Sequence, residues 1–132
     1  MKKLPIGIQS FEVMRTRDFV YVDKTQDIHR LVTEGMYYFL ARPRRFGKSL
    51  LVSTLRCLFE GRRELFEGLW IAGADRWDWQ PHPVVVIDFN RMALDTPEQL
   101  DADLRRFLAA QAQQAGLTLE SPTIVSQFGE LL

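Results

Sequence analysis

Met36-Tyr37-Tyr38-Phe39-Leu40-Ala41, followed at once by Arg42-Pro43-Arg44-Arg45-Phe46-Gly47-Lys48-Ser49, is the stretch on which the reading of the fold turns. The first six residues form an uninterrupted apolar run of strand length, the pattern of a strand buried on both faces. The next eight end in Gly-Lys-Ser, the second half of the phosphate-loop pattern G-x-x-x-x-G-K-[ST], with Arg42 where the first glycine would stand. From Lys48 to Glu60 the chain is helical in pattern, with Leu51, Leu55, Leu58 and Phe59 on one stripe. A strand, a glycine-containing loop and a helix in this order predict a site for a nucleoside triphosphate. Gly47 lets backbone N–H groups approach phosphate, and Lys48 carries a mobile cation. Ser49 offers a hydroxyl to Mg²⁺, and the helix N-terminus adds partial positive charge.

Arg42 departs from that pattern. The first loop glycine usually takes angles that a side chain resists, and Pro43 biases its neighbour towards extended backbone. On the pattern alone two readings stand side by side: a solvated arginine-rich turn, or a loop in which Arg42, Arg44 and Arg45 supply further charged donors to phosphate.

Outward from this stretch the same alternation continues. Phe19-Val20-Tyr21-Val22 reads as a short strand. Thr25 reads as the cap of a helix with Ile28, Leu31 and Val32 inward, stopped by Gly35. Gly61 and Gly68 bracket a short charged helix, Leu69-Trp70-Ile71 reads as a strand or turn, and Val84-Val85-Val86-Ile87-Asp88-Phe89 as a second buried strand. Thr96-Pro97-Glu98-Gln99 starts a helix with Leu100, Leu104, Phe107 and Leu108 inward and Gly116 at its end. Ser121-Pro122 starts a last one, carrying Ile124, Val125, Phe128, Leu131 and Leu132. The predicted class is α/β: a partial P-loop NTPase fold, a mainly parallel sheet flanked by helices, truncated at its C-terminal end.

Bulk properties narrow the function classes. The chain has 132 residues, 46% of them hydrophobic, which suits one domain with a real core. Seventeen Lys and Arg balance seventeen Asp and Glu, so no global field draws the chain to nucleic acid or membrane. One cysteine, Cys57, excludes an internal disulfide, and no Cys/His spacing suits zinc. Neither a signal peptide nor a membrane-spanning run is legible, so a cytoplasmic protein is expected. His29 and His82 are far apart. Trp70, Trp77 and Trp79 read as packing anchors, and Arg62-Arg63-Glu64 as a solvated face.

Taken together, Tyr21-Val22-Asp23-Lys24-Thr25, the stretch Tyr38 to Leu50, Phe59-Glu60-Gly61 and Leu65-Phe66-Glu67-Gly68-Leu69 closely resemble the AAA-ATPase-like family of bacterial proteins. In that family an R-P-R-R-F-G-K-S loop follows a V-D-K-T element, and Pro83 to Phe89 is similar to its next strand. The resemblance implies ATP and Mg²⁺ as cofactors, with Arg42, Arg44, Arg45, Phe46, Gly47, Lys48, Ser49 and Leu50 at the nucleotide and Ser49 on the metal. It implies that Asp23 and Lys24 lie near the nucleotide, the alternative being a helix cap and a surface pair. Asp88 ends an apolar strand as a Walker B carboxylate does, but in the family that strand precedes the acidic element, so a loop-capping role is expected. Catalytic residues stay unassigned, because the Walker B carboxylates are expected beyond the chain end. Members often carry a PD-(D/E)XK nuclease-like domain, through which nucleic acid would be a partner. The rival readings are a nucleotide-sensing or interaction module without turnover, and a piece that contacts nucleic acid through its arginines.

Overall fold

In the computed structural model, residues 1–43, 45–92, 95–114 and 116 are described. The chain divides into two compact units, Met1–Val84 and Val85–Leu132.

Three helices build the first unit. Helix α1, Phe11–Thr16, opens on Ser10, whose hydroxyl accepts from the Val13 N–H. It turns Phe11 and Met14 inward. Helix α2, Thr25–Glu34, buries Thr25 and Ile28 and stops at Gly35. That glycine is extended, at φ −157°, rather than left-handed. A Cβ there would meet only the ring end of the Tyr38 side chain, which is exposed and can move aside. Helix α3, Lys48–Phe59, buries Thr54, Cys57 and Leu58. It ends in a Schellman motif: the Arg62 N–H donates to Cys57 O, the Gly61 N–H donates to Leu58 O, and Gly61 takes φ +73°.

Two 3-10 turns, Arg63–Phe66 and Trp70–Ala72, complete the core. Phe11, Ile28, Cys57, Leu58, Leu65, Phe66 and Ile71 pack into one cluster, with the tryptophans around it. The Phe11 and Phe66 rings stand 4.7 Å apart, and Phe66 and Trp79 5.2 Å. Polar bonds tie the pieces together at their edges. Phe11 N–H donates to Ser53 Oγ at 2.9 Å, and Arg15 donates to the carbonyls of Leu65 and Glu67 at 2.7 and 2.6 Å. Arg76 lies over the Trp70 ring at 4.2 Å. The tryptophans are packing anchors, as expected.

In the second unit Asp88 caps the 3-10 turn Phe89–Arg91, accepting from the Asn90 N–H at 3.0 Å. Helix α4, Pro97–Gln114, begins where Thr96 Oγ1 accepts from the Gln99 N–H, and Leu108 and Ala112 are its buried residues. Gly116, just past it, takes φ +71°. The expected last helix from Ser121 lies outside the described residues.

The expectation of an α/β fold with a parallel sheet is overturned. Among the described residues there is no strand, and the one isolated bridge joins Lys3 to Phe19. Residues 36–41 and 84–88 run without ladder bonds, and residues 19–22 have only the bridge to Lys3, where the Val20 N–H donates to Lys3 O at 2.9 Å. Tyr37 is 91% and Phe39 94% exposed, where a strand buried on both faces would hide them. The structure is therefore not a P-loop sheet fold but helices and 3-10 turns around an aromatic core. The physical reason is that a helix closes its hydrogen bonds within itself, whereas a strand needs a neighbour. Beyond that one bridge, these runs have no strand partner among the described residues. Of the two readings of Leu69-Trp70-Ile71, strand or turn, the turn is the one found, with Leu69 capping the 3-10 turn Trp70–Ala72.

Candidate functional site

The backbone around Gly47 sets the site. Gly47 is the N-cap of α3 at φ +79°, ψ +16°, a left-handed conformation that glycine takes without strain. Its carbonyl accepts the first helical bond, from Leu51 N–H at 2.9 Å. In a helix that begins at Lys48, the first-turn N–H groups have no acceptor within the helix. They face a loop that is exposed from Ala41 to Pro43 and again from Arg45 to Ser49. Arg45 is itself left-handed at φ +67°, which for a side-chain-bearing residue costs about 1–3 kcal/mol.

Lys48 is exposed, but its side chain is tied to the loop. Its ammonium donates to the Arg42 carbonyl at 2.7 Å, folding back over its own loop. This contact brings Arg42 and Lys48 together, and Phe46 stands 68% exposed between them in sequence. Ser49 lies exposed in the first turn and Leu50 is half-buried against the core. Arg44 lies outside the described residues.

Behind the loop is a cavity of about 550 Å³. Arg42, Phe46 and Gly47 form its loop side, and Leu50 and Thr54 continue the wall along α3. Tyr21, Val22, Lys24, Asp27 and Leu31 close it from the α2 side. Burial pushes the pKa of the Tyr21 phenol up, so it is a neutral part of the wall. Size and mainly apolar lining are those of a small-molecule site.

The two residues of the V-D-K-T element part company here. Asp23 Oδ1 accepts from the Thr25 N–H at 2.9 Å and the Thr25 hydroxyl at 2.6 Å, and Oδ2 accepts from the Trp70 N–H at 2.7 Å. Thr25 is fully buried, and its oxygen accepts from the Ile71 N–H at 3.2 Å. Burial opposes the Asp23 charge, but the bonds from Thr25 and Trp70 outweigh it and hold the carboxyl below its ordinary value. Asp23 is thus committed to joining α2 to the turn Trp70–Ala72. Thr25 is the first helical residue, with Lys24 at the cap position, a correction by one residue. Lys24 lines the cavity. Sequence reasoning missed Asp27, which also lines it. The signal available was its place in the first turn of α2, three residues after Lys24.

Among the described residues, no three His, Cys, Asp or Glu side chains gather into a metal site. His29 stacks edge-on against Trp70 at 5.5 Å instead. No helix among the described residues is long and apolar enough to cross a membrane.

The model of a family described as predicted AAA-ATPase matches residues 5–132. An uncharacterized protein in the vnfD 5′ region of Azotobacter chroococcum mcd 1 is 43% identical over 133 residues. That match covers 99% of this chain and 25% of the relative, so the chain spans about a quarter of that protein's length. No solved structure matches.

Proposed function

The chain belongs to the predicted AAA-ATPase family, and from that premise we propose that it binds ATP with Mg²⁺ through Gly47, Lys48 and Ser49, as a variant Walker A loop. One observation carries the reading: a left-handed Gly47 caps α3 and leaves the first-turn N–H groups, Lys48 and Ser49 on an exposed surface beside a cavity. N–H groups without helical acceptors, together with the helix dipole, favour an anion there.

The residues present fit a triphosphate. Lys48 exchanges its Arg42 carbonyl for phosphate oxygen, and the backbone of Gly47 allows close approach. Arg42 and Arg45 add charged donors at the rim, with Arg44 between them in sequence, and Phe46 and Leu50 flank the loop on its apolar side. With no resident acidic cluster among the described residues, Mg²⁺ arrives on the nucleotide, with the Ser49 hydroxyl as one ligand.

The test is calorimetric titration of the chain with Mg²⁺-ATP. Lys48→Ala is expected to weaken binding at least tenfold, the loss of one charge-assisted contact of about 1.5–3 kcal/mol. Affinity equal to that of the unaltered chain would sink the assignment.

A further inference from the structure

The cavity behind the loop has a use that the loop does not explain. It is continuous with Gly47 and Arg42 on one side and with the N-terminal turn of α2 on the other. Its walls are mainly apolar, and an exposed aromatic ring, Phe46, stands at its loop side. Two ionisable side chains line it from α2, Lys24 and Asp27. Lys24 is the cap residue of α2 and Asp27 lies in its first turn, and both line the same cavity. Among the described residues neither side chain takes part in an ion pair with another. Asp23, by contrast, is committed to Thr25 and Trp70, so it does not compete for a ligand.

We propose that this cavity holds the adenine base of the bound nucleotide, with the Asp27 carboxylate accepting from the 6-amino group and the Lys24 ammonium donating to a ring nitrogen. The proposal rests on the nucleotide reading of the loop and deepens it. Three features argue for a base as occupant. The cavity joins the loop that takes the phosphates, so one nucleotide reaches both. Apolar walls with an aromatic ring suit a flat π-system, which stacks on such rings. One acceptor and one donor lining the same cavity match the edge of adenine, which carries an amino donor beside acceptor ring nitrogens. The carboxylate accepts only and the ammonium donates only, so the pair sets the orientation of the base.

The experiment compares Mg²⁺-ATP with purine riboside triphosphate, which is ATP without its 6-amino group, by calorimetry on the whole chain. The unaltered protein is expected to hold ATP about five- to tenfold more tightly, the effect of one hydrogen bond to a charged acceptor at an exposed rim. Asp27→Ala is expected to bring the ratio to about one. Asp27→Asn, which keeps an acceptor oxygen, is expected to restore part of it. Because both ligands carry the same triphosphate, any general loss of folding or of phosphate binding cancels in the ratio. ATP binding that needs Lys48, with a ratio that Asp27→Ala leaves unchanged, overturns the base assignment and spares the loop. GTP held more tightly than ATP overturns it as well. No binding of any triphosphate overturns both.

Discussion

Replacing Gly61 with alanine separates two costs that a glycine at a helix end can hide. The residue sits at φ +73°, and a left-handed angle costs a side-chain-bearing residue about 1–2 kcal/mol. The added Cβ also meets backbone, 2.6 Å from Trp79 O, 3.2 Å from Pro81 N and 3.3 Å from Trp79 C. Carbon–oxygen contacts settle near about 3.3–3.6 Å, so the segment Trp79–Pro81 must retreat by more than half of one ångström. Overpacking of this kind adds about 1–3 kcal/mol. The expected total is about 3 kcal/mol, or about 12–24 °C in Tm for a unit of this size. Gly68 supplies the control, because it has φ +80° and nothing within 4 Å of its added Cβ. Gly68→Ala therefore carries the angular cost alone, and any stiffening of the unfolded chain cancels between the two variants. Urea unfolding followed by tryptophan fluorescence reads the right unit, since Trp70, Trp77 and Trp79 all lie within Met1–Val84. If Gly61→Ala is no more than about 0.5 kcal/mol costlier than Gly68→Ala, the close approach of Trp79 to the helix end is wrong.

Gly47→Ala should behave like Gly68→Ala in stability, losing about 1–2 kcal/mol, since φ is +79° and its Cβ meets nothing. Unlike Gly68→Ala, it should weaken Mg²⁺-ATP binding, and calorimetry on both variants checks this. Phe66→Ala removes a fully buried ring packed on Phe11 and Trp79, with an expected loss of about 3–5 kcal/mol in the same urea experiment. Acid should weaken the fold through Asp23 and Glu12. Bonds from Thr25 and Trp70 prevail over burial at Asp23, and the Arg62 guanidinium beside Glu12 acts most strongly there, so both carboxyls titrate below their ordinary values. The unfolded chain then takes up protons first, so this stability is complete above about pH 5 and is lost as pH falls through 4 and lower. A stability profile of Asp23→Asn that keeps the full acid limb of the parent would contradict this.

What was legible in the sequence follows from where each element finds its hydrogen bonds. Helices α2, α3 and α4 were readable because apolar spacing, Thr96-Pro97 and the glycines at 35, 61 and 116 are local signals. The apolar runs at residues 19–22, 36–41 and 84–89 were misread. Their composition says only that they would suit a sheet, and pairing is a property of distant chain. Helix α1 was overlooked because six residues show too little periodicity, although Ser10 ahead of Phe11 and Met14 marks it. Of the candidate site, Gly47 through Ser49 could be placed from the pattern, since a left-handed cap before a helix is what a glycine there does best. Asp23 and Thr25 could not, because their roles depend on Trp70 and Ile71, more than forty residues away. Asp27 became visible only with the cavity.

The segment Met36 to Phe39 has a colloidal consequence. It is apolar and aromatic, without charge or proline, exposed along its length, and makes no ladder bonds of its own. Such a window is the kind that recruits identical copies edge to edge. The chain as a whole carries no net charge at neutral pH, so nothing electrostatic holds two copies apart. Self-association through this stretch is expected to limit the concentration at which the isolated chain can be handled, and light scattering over a dilution series checks it. A lysine or glutamate in place of Tyr37 or Phe39, both outside the cavity and the aromatic core, is the economical way to raise that ceiling.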